Sequence, residues 1–484
     1  MSANTIAEVN AVKSAATVTN AGLNIIQKPA APPSYVSTRN ACKMCAPLGA
    51  SLVFRGIEGA VPFLHGSQGC ATYMRRYIIS HFREPMDIAA SGFSESSAIF
   101  GGEDNLRRGL QNVTAQYKPN MIGVATTCLC ETIGEDVASM IREYVLHVSQ
   151  DAETGGFAPQ LVHVSTPSYS GTHIDGFHAA VRSVVEALAA PAPLRPHHVN
   201  LFPGMVSAAD LRYLKEIADD FEVSALVLPD YSETLDGPAL DAYQKIPAGG
   251  TPIHGIRSTA GARASIEFGR TMRERDTAAA FLESKFGVRA HRVGLPIGIN
   301  ETDRFFSALK EVADRPMPRK HEMERGRLVD SYVDGHKYVF GKRAIVYGEE
   351  DLVVGLAALL AEIGIIPVLC ASGGKSGVLT QAIAEVAPNL PEPPEICDGA
   401  DFMSIAEKAK LLKPDLLIGN SKGYGIARDL GIPLVRVGFP IHDRIGGQRI
   451  LHLGYRGAQH LFDRIVNALL EYKQETAEIG YSYM

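Results

Sequence analysis

The sequence predicts an α/β fold made of three units, each a parallel sheet flanked by helices. Three observations predict it. At about 150 residues per domain, 484 residues suggest about three domains. Short apolar runs end in Gly, Ser or Thr and lead into amphipathic stretches, which is the alternation of a helix-covered parallel sheet. Two proline-bearing stretches, Pro191–Pro196 and Pro316–Pro318, punctuate the chain as linkers do.

In chain order, Met121–Thr126 reads as a strand, with Thr127–Cys130 and a helix behind it. Leu161–Ser165 is a strand ending at Thr166–Pro167–Ser168, and Ile174–Leu188 is a helix. The second unit opens at His198. Val199–Phe202 runs through Pro203–Gly204 to a helix over Ala208–Ile217, and Val223–Leu228 is a strand of leucine and β-branched character. Residues 230–260 are turn-rich, and helices fit Thr277–Lys285 and Arg304–Val312. In the third unit, strands fit Arg343–Tyr347, Ile366–Cys370, Leu416–Ile418 and Leu434–Val437. Helices fit Asp351–Glu362, Ser376–Val386 and Ala458–Tyr472. The boundaries predicted are a flexible N-terminal arm over 1–37 and units over 38–195, 196–320 and 321–484. Ligands of such sheets gather beyond the carboxyl ends of the strands.

Composition removes several function classes. Hydrophobic residues are 46%, charged residues 21% and the formal net charge is -6. That excludes a disordered chain and a basic nucleic-acid binder. The first forty residues are rich in Ala, Asn, Thr and Pro and lack a signal-peptide core. The apolar stretch 351–370 is interrupted by Gly355, Glu362 and Gly364, so no bilayer span is predicted. A soluble cytoplasmic protein, with no membrane and no nucleic acid as partner, is the expectation. Gly373–Gly374–Lys375–Ser376 looks like the end of a phosphate loop, but Leu369 stands where the first glycine belongs, so a turn starting a helix is the better reading.

Seven cysteines are too few for a disulfide-stapled fold. Five fall early: Cys42, Cys45, Cys70, Cys128 and Cys130. Cys45 precedes Ala46–Pro47–Leu48–Gly49, Cys70 closes His65–Gly66–Ser67–Gln68–Gly69, and Cys128 follows a strand. Glycines let the backbone approach a bulky inorganic body, and N–H groups at strand-to-helix turns stabilise negative charge there. Thiolates suit iron–sulfur clusters or zinc. Cys42 and Cys45 alone could be a zinc half-site or a redox pair, and the whole set could be buried non-ligating thiols. Cys370 ends a strand and reads as core, while Cys397 has no clear role. His65 and His81 are ligand types on composition alone.

The residues carry a resemblance. Cys45–Ala46–Pro47–Leu48–Gly49–Ala50, His65–Gly66–Ser67–Gln68–Gly69–Cys70, His81–Phe82–Arg83–Glu84–Pro85 and Ala98–Ile99–Phe100–Gly101–Gly102 occur in order. Thr126–Thr127–Cys128, Ile133–Gly134–Glu135–Asp136 and Thr166–Pro167–Ser168 follow. Glu324–Arg325–Gly326–Arg327–Leu328, Gly341–Lys342–Arg343, Ile418–Gly419–Asn420–Ser421 and Gly438–Phe439–Pro440–Ile441 complete the set. From about residue 38 to 475 the chain resembles the beta-type subunit of nitrogenase component 1 and its relatives.

The resemblance implies three nitrogenase-like domains and an 8Fe–7S P-cluster shared with an alpha-like subunit. Cys45, Cys70 and Cys128 match the three beta-side ligands, and Ser168 matches a serine that can coordinate the oxidised cluster. Ser168 could equally be a helix cap or turn residue, and Tyr73, which matches an aromatic near the electron path, could be ordinary packing. Cys42 and Cys130 are additions to the pattern. Glu84 matches a carboxylate that binds a lone cation between subunits in some relatives, with Asn300 and Glu301 near where the partner carboxylates would be. A shared 4Fe–4S cluster is the alternative. No catalytic residue is expected on this chain, because the middle-chain cysteine that holds the alpha subunit's cofactor is missing between 131 and 369, despite His442. The small-molecule substrate and an iron–sulfur catalytic cofactor would sit on the alpha-like partner in an α2β2 heterotetramer. A separate homodimeric 4Fe–4S reductase would use ATP to deliver electrons. The chain would therefore not catalyse alone.

The runs Arg55–Gly56–Ile57–Glu58–Gly59–Ala60 and Arg75–Arg76–Tyr77–Ile78–Ile79–Ser80 depart from the usual molybdenum-nitrogenase versions, and there is no tryptophan. These departures point the resemblance toward methylthio-alkane reductases, which cleave C–S bonds for methionine salvage. A dinitrogen-reducing nitrogenase beta subunit and a beta-like scaffold for cofactor assembly are the alternatives.

Overall fold

A computed structural model describes residues 40–150, 158–272 and 276–478. The arm expected over 1–37 lies outside the described residues. Three sheets form the frame, and every strand pair in them is parallel. The first contains β1 (Ala60–His65), β2 (Ala89–Ala90), β3 (Met121–Thr126) and β4 (Gln160–Val164), in the order β2-β1-β3-β4. The second contains β5 (Arg195–Phe202), β6 (Ser224–Val227), β7 (Ala262–Phe268) and β8 (Arg289–Val293), ordered β6-β5-β7-β8. The third contains β9 (Arg343–Gly348), β10 (Ile366–Ser372), β11 (Glu395–Cys397), β12 (Leu416–Gly419) and β13 (Leu434–Arg436), ordered β11-β10-β9-β12-β13.

Each order reverses direction at the middle of its sheet. Successive crossovers leave one way from β1 and the other way from β3, which opens a crevice beyond their carboxyl ends. The same reversal lies between β9 and β12 in the third sheet. β1 and β3 are buried along their whole length, as central strands covered on both faces must be. Among the described residues no helix is long and apolar enough to cross a membrane.

The alternation predicted from the sequence is present, with three differences worth a physical reason. The helix expected from Ser376 begins at Leu379, because Gly377 sits at φ +83, a left-handed turn that cannot belong to a helix. The preceding turn is filled by the Glu350 carboxyl: the Ser376 N–H donates to Glu350 Oε1 at 3.1 Å. The stretch after Pro316–Pro318, read as a linker, opens a long helix, Arg319–Val339, capped by Pro318. Strand β5 starts at Arg195, inside the Pro191–Pro196 stretch and ahead of the Val199 expected.

That long helix joins the second sheet's helices to the last one, Gly454–Thr476, through a buried carboxylate. Glu324 accepts from Tyr213 Oη at 2.7 Å and from Arg456 Nη2 at 2.6 Å, and pairs with His321 Nδ1 at 3.0 Å. Asp303 nearby takes a two-pronged bond from Arg325 and one from Tyr455 Oη at 2.5 Å. The Glu324–Leu328 motif is therefore a buttress between helices. Burial pushes the Glu324 carboxyl up, but the His321, Tyr213 and Arg456 hydrogen bonds outweigh it and hold it at about 2. A depressed carboxylate stabilises the fold above its unfolded value of about 4.3 and loses that contribution as pH falls toward the folded value. Glu324→Gln should cost about 2 kcal/mol at pH 7, after discounting for partial solvent access. Urea midpoints of wild type and variant should converge as pH is lowered from 4.5 toward 3. A gap that stays constant across that range would refute the ionic account.

Candidate metal-cluster site

Three cysteines stand at the beginnings of three helices, each placed by its own local sequence. Cys45 is the N-cap of the helix Ala46–Arg55, in extended conformation, with Pro47 in the first turn where its missing N–H costs nothing. The strap that leads to it is fixed on two sides. Cys42 N–H donates to Ala400 O at 2.9 Å and Gly373 N–H to Cys42 O at 3.2 Å, both from loops of the third sheet. Met44 N–H donates to His173 Nδ1 at 3.2 Å, and His173 N–H donates back to Met44 O at 3.0 Å.

Cys70 lies in the first turn of Gln68–Phe82, reached from β1 through Gly66 and Ser67. Gly66 adopts φ +144, and a Cβ there would stand 1.8 Å from Thr127 Oγ1, so only glycine fits. Ser67 Oγ caps the helix by accepting from Gly69 N–H at 3.3 Å. Cys128 opens Cys128–Ile133 directly after β3. The Thr127 N–H donates to His65 O at 3.0 Å, locking the two loops to each other at the reversal point of the sheet. Ser168 follows β4, and Thr166 anchors its loop through bonds to Thr126 of 2.8 and 2.6 Å.

The four positions predicted from the sequence are brought together. Ser168 N–H donates to Cys128 Sγ at 3.3 Å, and Ser168 Oγ accepts from Ala46 N–H, next to Cys45, at 3.2 Å. Burial pushes the Cys70 thiol up, and charge on Cys45 and Cys128 pushes it further. Like-charge repulsion among thiolates is what a metal relieves. All three are free and half-buried. Their neighbours Tyr73, Leu129 and Tyr169 are 38%, 37% and 66% exposed, so the site opens at an apolar rim. Three soft donors, a hydroxyl and a backbone N–H aimed at sulfur suit an iron–sulfur cluster.

The other cysteines differ. Cys42 is buried, and burial first, then Glu349, pushes its thiol up to about 12. Cys370 is buried and pushed up to about 12 by burial alone. Both are protonated core thiols at neutral pH. Cys130 is buried and pushed up by burial and then by Glu135. It belongs to a second group, His65, Cys130 and Glu135, whose ligand atoms lie within 4.8 Å of one another and could hold a metal ion. Here these groups satisfy each other. His65 Nε2 meets Glu135 Oε2 at 2.7 Å, His65 Nδ1 meets Ser91 Oγ at 3.1 Å, and Gly102 N–H donates to Glu135 Oε1. His65 is pushed down by burial against the opposing effect of Glu135. The sequence reading gave Glu135 no role; only the adjacency of β1 and β3 shows its partner.

Several expected neighbours have other roles. His81 Nδ1 accepts from Ile441 N–H at 2.9 Å, and burial pushes it down to about 3, so it is a neutral clasp on the Gly438–Ile441 motif. Glu301, named as a partner carboxylate for a cation, is buried and forked to Arg270 Nη2 at 2.9 and 3.0 Å. The sequence missed Lys422, whose Nζ donates to Ala41 O at 3.1 Å beside the cysteine strap, across 381 residues. Nothing in the local sequence signals that reach.

The family model described as "Nitrogenase component 1 type Oxidoreductase" matches residues 45–470. The nitrogenase molybdenum-iron protein beta chain of Methanococcus maripaludis is 34% identical over 465 residues, covering 94% of this chain and 98% of that protein. Its namesake from Azotobacter vinelandii is 34% identical over 456 residues, covering 90% and 84%. A solved structure described as "Nitrogenase Cp1 at pH 6.5" superposes with TM-score 0.86 at 31% identity, covering 97% of this chain and 98% of that one.

Proposed function

Because this chain belongs to the nitrogenase component 1 type oxidoreductases, on the beta-chain side, we propose that it is the electron-relaying subunit of a dinitrogen-reducing complex. One observation carries the reading. Cys45, Cys70 and Cys128 converge at one half-open edge, with Ser168 donating to Cys128 Sγ. An edge with three thiols and an apolar rim is half of a site and calls for a second chain to close it. In this proposal the three cysteines, joined by Ser168, hold an 8Fe–7S cluster shared with an alpha-like subunit in an α2β2 assembly. When bound, such a cluster takes up and releases single electrons. The chain's own contribution is to fix the thiolates on rigid helix starts, turn N–H groups toward sulfur and exclude water with the strap 40–45.

The ATP-using 4Fe–4S reductase, the catalytic cofactor on the partner and a cytoplasmic location belong to the same proposal, as do units over 38–195, 196–320 and 321–484. The relatives favour dinitrogen over methylthio-alkanes as substrate. The runs that departed from the usual pattern also have structural work: Arg55 Nη2 donates to Pro85 O at 3.1 Å and Arg75 Nε to Met86 O at 2.9 Å, both bracing the loop after His81.

The complex purified with its alpha-like partner should carry an eight-iron cluster per unlike pair and convert dinitrogen to ammonia with ATP and its reductase. Ethyl methyl sulfide, which takes up two electrons and two protons to give ethane and methanethiol, should not outcompete it. A four-iron cluster without sustained turnover would make the chain an assembly scaffold and overturn the relay.

A further inference from the structure

The loop after β12 lies at the reversal point of the third sheet, between β9 and β12. It sends Lys422 into the cysteine strap of the first. Its placement is built. Lys422 N–H donates to Asn420 Oδ1 at 3.1 Å, Asn420 Nδ2 donates to Phe439 O at 3.1 Å, and Tyr347 Oη donates to Asn420 O at 2.6 Å. The ammonium then donates to Ala41 O at 3.1 Å and sits 5.9 Å from the centre of the Tyr77 ring. Its charge acts on Cys42 and Cys45. Among the described residues no carboxylate lies within ion-pair distance of it. A half-buried ammonium with a backbone carbonyl and a ring for company is an uncompensated cation, and the carbonyl it holds belongs to the strap that leads to the proposed ligand Cys45.

We propose that Lys422 is a positioning residue that supplies a fixed positive charge to the cluster held through Cys45, Cys70 and Cys128, raising its reduction potential. This rests on the relay reading above. The physical step is simple. An added electron makes the cluster more negative, and a nearby cation stabilises the reduced form over the oxidised one. No bond forms at Lys422 and no proton leaves it. Cys42, a buried thiol that burial keeps protonated, adds no charge of its own.

The test is a redox titration followed by electron paramagnetic resonance on the co-purified complex, with iron content measured on the same samples. Lys422→Met keeps the length and removes the charge; Lys422→Arg keeps the charge. The methionine variant should keep its iron and show a reduction equilibrium about tenfold less favourable, about 59 mV more negative for one electron. The arginine variant should stay near wild type. An unchanged potential in Lys422→Met, or equal shifts in both variants, overturns the proposal. If Lys422→Met loses its iron, a full cluster at wild-type potential in Lys422→Arg still supports the charge, and iron loss in both makes Lys422 a mere tie and overturns it. A native complex without any cluster defeats the relay reading itself, which iron analysis of wild type reveals separately.

Discussion

Cys70→Ala is expected to strip cluster iron from the purified complex and cut its ATP-dependent turnover by more than about 100-fold. Even removing a residue that only supports a metal ligand costs about 10–100-fold, and Cys70 is proposed as a ligand itself. Its thiol feels both Cys45 and Cys128, so its removal tests the trio as a set. The contrast lies with Cys42→Ala and Cys370→Ala. Both thiols are buried among the apolar side chains of the core, and burial pushes each up to about 12. Those variants should keep their iron. Plasma mass spectrometry for iron on the three variants decides the matter, and a Cys70→Ala complex with its full iron content would remove the trio from the ligand set.

Asp210→Ala should be the most destabilising single change in the frame, at about 3–5 kcal/mol. Asp210 is fully buried at the start of the helix Ala208–Asp220. It closes a capping box with Ser207, accepting from the Ser207 N–H at 3.0 Å. The same carboxylate accepts from His452 N–H at 2.7 Å, Leu453 N–H at 3.0 Å and His452 Nδ1 at 2.8 Å. It therefore fastens the second sheet's first helix to the start of the last helix, and its loss leaves buried donors without acceptors. Burial pushes the carboxyl up, but His452 and the backbone donors outweigh burial and hold it below the usual range. Its stabilisation is present above about pH 3.9 and fades as pH falls below that through the lower folded value. Urea midpoints at pH 7 should separate wild type from Asp210→Ala widely and less so near pH 3. An unaltered midpoint at pH 7 would refute the role.

The frame was legible where local chemistry decides. β3, β9, β10 and β12 are short apolar runs closed by small residues, and their partners follow at the spacing of helix crossovers. β1 is hard to read locally: Pro62 inside it argues against a central strand, yet it pairs with Gly123 of β3. The helix Arg319–Val339 escaped because its buried positions include His321, Glu324 and Gly335, so no apolar stripe marks them. At the site, the glycines and small residues flanking the cysteines announced close backbone approach. What made it a site could not be read locally. The reversal of strand order between β1 and β3 aligns Cys70 with Cys128, and Ser168 reaches Cys128 across 40 residues. Lys422 and Glu135 depend wholly on such tertiary neighbours.

The docking of the strap 40–45 on the third sheet has a consequence for how the protein is made. Cys42 is held by Gly373 and Ala400, and Ala41 by Lys422, so the segment ahead of Cys45 is seated by residues that leave the ribosome among the last. At about 5–20 residues per second, that outer half of the strap waits on the order of tens of seconds before its anchor exists. During that interval Met44 can already dock on His173 and Ala46 on Ser168, so the Cys45 end is held while residues 40–42 are not. The strap is thereby closed only at the end of translation, and a chain cut short before residue 422 lacks the clasp on Ala41.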